Sequence, residues 1–160
     1  MDPTTLEPAS LTDEDWEAVR RYAQAIFACG EHSIHGPLHW ARVEKNGLEL
    51  AAETGADETV VRLFAILHDT CRLDDGDDPG HGPRAADTLA TLIGVLFTLD
   101  PERLVLLEQA IRHHTDGLTS DNLTIGTCWD ADRLDLWRVG KKPEGRYMST
   151  EAGKRIAEQR

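Results

Sequence analysis

The sequence predicts an all-α fold, a single-domain bundle of about six to seven helices. Three observations carry that reading. Apolar residues recur at three- and four-residue spacing along most of the chain, the period of a helix with one buried face. No segment alternates apolar and polar residues as a half-buried strand would. Proline, glycine and capping residues punctuate the periodic segments without gathering into a linker, and no repeat period is visible. With 160 residues, 40% of them hydrophobic, the chain can bury roughly two-thirds of its unfolded surface without disulfides or other staples.

Each element has its own signal. Thr12 caps a first helix whose opening turn is Asp13-Glu14-Asp15, and which runs to Cys29 before Gly30, covering the core. Pro37 suits the first position of a second helix ending near Thr54 at Gly55, with His39, Val43 and Leu50 on one face. Asp57 caps a third, with Val60, Phe64, Leu67 and Cys71 at helical spacing and His68-Asp69 in its last turn. A loop from Asp74 to Gly80 follows, and a fourth helix from about Pro83 carries Ala85, Leu89, Leu92, Ile93 and Leu96, with His81 at its entrance. Pro101 opens a fifth, in which Leu104, Leu107, Ile111 and His114 share a stripe. After a polar turn, Thr115 to Asn122, a sixth helix from about Gly126 to Val139 puts Asp130, Leu134 and Trp137 together before Gly140. Residues 141–160 read as a loop and a polar terminal helix. Residues 1–10 read as a flexible N-terminus, leaving 11–160 as the folded domain.

Composition excludes several classes of function. A formal charge of −12 repels a phosphate backbone, and no Lys/Arg stripe offsets it, so a nucleic acid polymer is not an expected partner. No apolar run approaches the roughly 18 residues of a membrane span. The first residues lack the basic start and apolar stretch of a secretory signal, so the expected location is cytoplasmic. Cys29, Cys71 and Cys128 are odd in number, form no CxxC pair and have apolar neighbours, as reduced buried thiols do. Asp74, Asp75, Asp77 and Asp78 read as a solvated loop.

The chemistry lies in the histidines and aspartates. Four of the seven histidines fall on apolar stripes or at helix entrances. A buried carboxylate needs a partner, so Asp130, on a stripe with Leu134 and Trp137, calls for a metal or an arginine. Consecutive helical residues project about 100° apart, so His68 and Asp69 reach one ion only at a helix end, where they lie.

The ordered series is His39 in His-Trp-Ala-Arg-Val, His68-Asp69 in Ile-Leu-His-Asp-Thr-Cys-Arg, and Asp130 in Trp-Asp-Ala-Asp-Arg-Leu-Asp. It resembles the HD-domain superfamily of metal-dependent phosphohydrolases over residues 35–140. The resemblance implies a metal held by His39, His68, Asp69 and Asp130. It also implies a second metal, or a substrate contact, through further histidines. His81 in His-Gly-Pro-Arg-Ala-Ala is similar to the family's His-x-x-x-Gly-Ala segment, with Ala85 in place of glycine. His114 is preferred to His113 as its companion, because His114 continues the stripe. Imidazole and carboxylate donors admit Mn²⁺, Fe²⁺, Co²⁺, Mg²⁺ or Zn²⁺, as one ion or two. The implied activity is hydrolysis of a small phosphorylated molecule or nucleotide by a metal-acidified water. Asp69 and Arg72 are then the catalytic pair, Arg72 binding phosphate or else pairing with Asp74 or Asp75. Arg42 and Arg133 are placed to orient Asp130 or Asp69, or else to pair on the helix surface, with Asp132 and Asp135 in support. The alternatives are a di-iron oxygenase, for which His81 and His114 are obligatory, and a non-catalytic ligand-binding module that keeps the metal.

Overall fold

The computed structural model describes residues 10–160, in which the chain forms seven α-helices. These are α1 (Asp13–Ile26), α2 (Pro37–Thr54), α3 (Glu58–Leu67), α4 (His81–Leu92), α5 (Pro101–Arg112), α6 (Leu123–Arg133) and α7 (Glu151–Gln159). Two 3₁₀ turns, Leu134–Val139 and Gly145–Tyr147, separate α6 from α7. No strand forms among the described residues; Ile93 and Phe97 make one isolated bridge. The flexible segment expected over residues 1–10 lies, Ser10 apart, outside the described residues.

The punctuation works as the side chains dictate. Thr12 and Asp15 form a reciprocal cap, Asp15 N–H donating to Thr12 Oγ1 at 3.1 Å and Thr12 N–H to Asp15 Oδ2 at 2.9 Å. Pro37 occupies the first turn of α2, and Gly55 ends that helix at φ 75°, a left-handed conformation that costs glycine nothing. Asp57 and Asp100 cap α3 and α5 through their carboxylates.

Helix α2 packs on α3 and α6, α3 also meets α5 and α6, α4 lies along α5, and α1 covers α3. The resulting core is centred on Leu50, Leu63, Phe64, Leu67, Leu107, Ile111 and Leu134, all buried. Among the described residues no helix is long and apolar enough to cross a membrane.

Several boundaries differ from expectation. Helix α1 stops at Ile26 rather than Cys29, and α4 opens at His81, with Pro83 still inside the first turn where its missing N–H costs nothing. Helix α6 opens at Leu123 because Asn122 caps it, its Oδ1 accepting from Thr124 and Ile125 N–H at 3.0 Å each. It also stops early. Beyond Arg133 the tighter 3₁₀ winding turns later residues off the helical stripe, and Trp137 ends 49% exposed instead of beside Asp130. Helix α7 is not merely polar, since Ala152, Gly153 and Ala157 are buried. Of the cysteines expected to be buried, Cys128 is, while Cys29 and Cys71 are half-buried.

Candidate metal centre

Four imidazoles are delivered to one place by four different elements. His39 lies in the first turn of α2, His68 caps the C-terminus of α3, His81 begins α4 and His114 follows α5; all four are buried. In each ring Nδ1 is already engaged. His39 donates to Asp135 Oδ2 at 2.7 Å, and Arg42 Nε holds the same carboxylate at 2.8 Å. His68 donates to the carbonyls of Phe64 and Ala65 at 3.0 and 3.1 Å, while its ring stacks on Phe64. His81 donates to the Asp78 carbonyl at 2.5 Å and His114 to the Ile111 carbonyl at 2.7 Å. A carbonyl oxygen only accepts, so Nδ1 carries the hydrogen and Nε2 of the neutral ring presents a lone pair.

Those Nε2 atoms converge. His39 and His68 Nε2 are 3.2 Å apart, and His81 and His114 Nε2 are 2.8 Å apart. Asp69 lies between the two pairs: Oδ2 is 3.3 Å from both His39 and His68, and Oδ1 is 3.1 Å from His81 and 3.4 Å from His114. Asp132 Oδ1 completes the first pair at 3.1 Å from His39 and 3.5 Å from His68. The donor atoms fall into three overlapping groups, each within 4.8 Å: His39, His68 and Asp69; His68, His114 and Asp132; Asp69, His81 and His114. Lone pairs facing each other at such distances repel unless a proton or a cation lies between them. Buried imidazole and carboxylate donors fit a divalent transition metal or Mg²⁺.

Without a cation, protons take its place. Burial opposes a charge on His39, but hydrogen bonds to Asp132, Asp135 and Asp69 outweigh it and push the ring up to about 9. For His68 burial is likewise overcome, chiefly by the charges of Asp69 and Asp132, and the ring rises to about 10. Burial would raise Asp69 and Asp132, yet the charge of His68 and the surrounding imidazoles hold both carboxyls well below the usual range.

Close approach of α4 and α5 is what pairs His81 with His114, and Gly82 permits it. A Cβ there would lie 2.9 Å from the Ile111 carbonyl oxygen, 3.0 Å from that of Arg112 and 3.3 Å from His114 Nδ1.

The structure brings together His39, His68, Asp69, His81 and His114 of the residues singled out from sequence, but not Asp130. Asp130 accepts Ser149 N–H at 2.7 Å, Thr150 N–H at 2.9 Å and Thr150 Oγ1–H at 2.7 Å, anchoring the entry to α7. Its need for a partner is met by backbone, although burial still raises its carboxyl above the ordinary value. The carboxylate at the cluster belongs to Asp132, two residues on. A readable signal was the Asp132/Asp135 spacing of three, which puts both acids on one face and here both on His39. His113 points away, half exposed, beside Asp116. Arg72 pairs with neither Asp74 nor Asp75 carboxylate; Nη1 donates to the carbonyls of Asp74 and Gly76, and Nε lies 3.9 Å from Asp69 Oδ1. Arg42 orients Asp135 rather than Asp130 or Asp69, and Arg133 donates to the carbonyls of Gly117, Leu118 and Tyr147. Cys71 belongs to none of the metal-capable groups. The loop at Asp74–Asp78 is more than a solvated stretch: Asp75 accepts from Ser33 and His35, and Asp78 from Leu73 N–H and Arg84.

No protein-family model matches the sequence, and no curated protein sequence matches it. Solved structures do. A predicted HD superfamily hydrolase from an uncultured Thermotogales bacterium is 27% identical, with TM-score 0.69 over 92% of this chain and 83% of that one. A Lactobacillus plantarum protein is 21% identical, with TM-score 0.68 over 94% and 92% of the two chains. Bacillus subtilis YpgQ, solved in complex with ADP, is 20% identical, with TM-score 0.58 over 91% and 89%. The last two, at that identity, share the fold.

Proposed function

From its relationship to a predicted HD superfamily hydrolase, 27% identical and similar in fold over 92% of this chain, we propose that this chain is an HD-type metal-dependent phosphohydrolase acting on a small phosphate ester or nucleotide. One observation carries the reading: four buried imidazoles, each locked at Nδ1, aim Nε2 at the two oxygens of a single aspartate. A histidine kept only for packing would not be oriented this way four times over.

His39, His68, Asp69 and Asp132 would hold one cation, and His81, His114 and the other oxygen of Asp69 a second. Bound there, such a cation supplies Lewis acidity and brings a water molecule's pKa toward neutral. The chain's own residues do the rest. Asp135, clamped by Arg42, fixes the tautomer and angle of His39. Phe64, stacked on His68 and edge-on to His114, keeps bulk water from the inner side. Arg72, adjoining Asp69 and steadied by the carbonyls of Asp74 and Gly76, offers a guanidinium to a phosphate dianion.

Elemental analysis of the purified protein, followed by a phosphomonoester and nucleotide screen with added Mn²⁺, tests the proposal. Turnover that chelation abolishes and Mn²⁺ restores is the expected result. A metal-loaded protein that hydrolyses no phosphate ester refutes it. A di-iron oxygen-activating centre would need the same His81–His114 pair, and oxygen consumption by anaerobically iron-loaded protein would identify one.

A further inference from the structure

His35 stands outside the ligand cluster. It precedes the Gly36 cap of α2 by one residue, and its backbone is held at both ends: its N–H donates to Ser33 Oγ at 3.0 Å and its carbonyl accepts from Trp40 Nε1 at 2.7 Å. The ring lies edge-on to His39, with centroids 6.4 Å apart. Nδ1 meets Asp75 Oδ1 at 2.9 Å, and Ser33 Oγ donates to the same oxygen at 2.5 Å. The side chain is 9% exposed, and Nε2 makes no hydrogen bond among the described residues and reaches the solvent-accessible surface. A ring fixed at Nδ1 whose Nε2 reaches the surface unbonded is held in place to meet a polar group arriving from solvent.

The surroundings indicate what that atom is. Arg72 adjoins the same loop, with a buried Nε that also lacks a partner among the described residues, 3.9 Å from Asp69 Oδ1. Helix α2 begins at Gly36 without a side-chain cap, so its positive end is free for an anion. The loop's carboxylates are already engaged, Asp74 by Gly76 N–H, Asp75 by Ser33 and His35, Asp78 by Leu73 N–H and Arg84.

We propose that His35 Nε2 binds an oxygen of the substrate's phosphate group, and that Asp75 is the positioning residue that holds the ring. The inference deepens, and rests on, the phosphohydrolase reading. Phosphate suits the ring in either protonation state: the neutral ring accepts from P–OH, and the protonated ring donates to P–O⁻.

The probe is inorganic phosphate, titrated calorimetrically into Mn²⁺-loaded protein, with Mn²⁺ affinity and stoichiometry measured separately. His35→Ala weakens phosphate binding by about tenfold or more, as loss of a hydrogen bond to a charged group does, and leaves Mn²⁺ binding unchanged. His35→Gln, whose amide lies near the Nε2 position, recovers most of the affinity. His35→Asn, whose amide lies near Nδ1, does not, and this pair carries the test if the alanine variant fails to fold. Asp75→Asn weakens phosphate several-fold with the same Mn²⁺ binding. Phosphate affinity in His35→Ala or His35→Asn within about twofold of the parent overturns the inference. So does loss of Mn²⁺ together with phosphate, which would make His35 a metal ligand. A parent protein that takes up no Mn²⁺ overturns the metal-centre reading and this inference with it; one that takes up Mn²⁺ but no phosphate overturns the inference and leaves the centre standing.

Discussion

Replacing Asp130 by alanine should lower the stability of the protein without touching its metal content. The carboxylate is fully buried and accepts three hydrogen bonds, from Ser149 N–H, Thr150 N–H and Thr150 Oγ1–H. Ser149 is half-buried and can turn to water, but Thr150 is buried, and its hydroxyl also caps α7 by accepting Gly153 N–H at 2.9 Å. Leaving a buried donor unmatched costs about 1–3 kcal/mol. Relief of the carboxylate's own burial offsets part of the loss, so about 3 kcal/mol for the site is a fair sum. For a domain of this size 1 kcal/mol moves Tm by roughly 2–4 °C, which gives a fall of about 6–12 °C. Thermal unfolding followed by circular dichroism, with and without saturating Mn²⁺, measures it, and elemental analysis gives the occupancy. A variant that melts with the parent but has lost its metal would refute the reasoning and return Asp130 to the metal site.

Further predictions follow from the same geometry. In metal-free protein His39 and His68 are raised to about 9 and 10 from an ordinary 6.5, so their contribution to stability is full below pH 6.5 and is lost as pH rises through 9 and 10. Asp69 and Asp132 are depressed below 3.8, so their contribution is present above that pH and is lost on further acidification. A metal-free melting profile with no alkaline decline would contradict this, as would a decline that saturating Mn²⁺ leaves unchanged. Metal binding near pH 7 should release protons from the same two rings, seen as a dependence of calorimetric heat on the buffer's ionisation enthalpy; no such dependence would contradict the protonation assigned. Gly82→Ala should part α4 from α5 and reduce the metal content from two ions to one, with about 1–3 kcal/mol of overpacking; two ions in the variant would contradict the role given to that contact. Asp135→Asn should weaken metal affinity about 10- to 100-fold through His39 while the fold persists, and unchanged affinity would count against it.

Much of this architecture is legible in the sequence because it is local. Thr12, Asp57 and Asp100 cap the helices they precede, Pro37 and Gly55 bracket α2, and the apolar period marks the faces that meet in the core. His39, His68 and Asp69 are readable for the same reason, since each sits on or just beyond an apolar stripe. Asp130 misled because its partner is not local: the backbone that satisfies it enters from residues 149 and 150, and no helical wheel of α6 contains them. Asp132 reads as a supporting residue rather than a ligand because its partner His39 comes from α2, ninety residues earlier, where it and Asp135 grip the two nitrogens of one imidazole. The role of His35 depends on a loop contact forty residues away and leaves no mark on periodicity.

The most direct test of the metal centre is anomalous diffraction from crystals grown with Mn²⁺. The account predicts an anomalous peak bonded to Nε2 of His39 and His68 and to carboxylate oxygens of Asp69 and Asp132, with Asp130 still on Ser149 and Thr150. A peak bonded to Asp130, or well-ordered crystals in ample Mn²⁺ with no peak among these histidines, would contradict it.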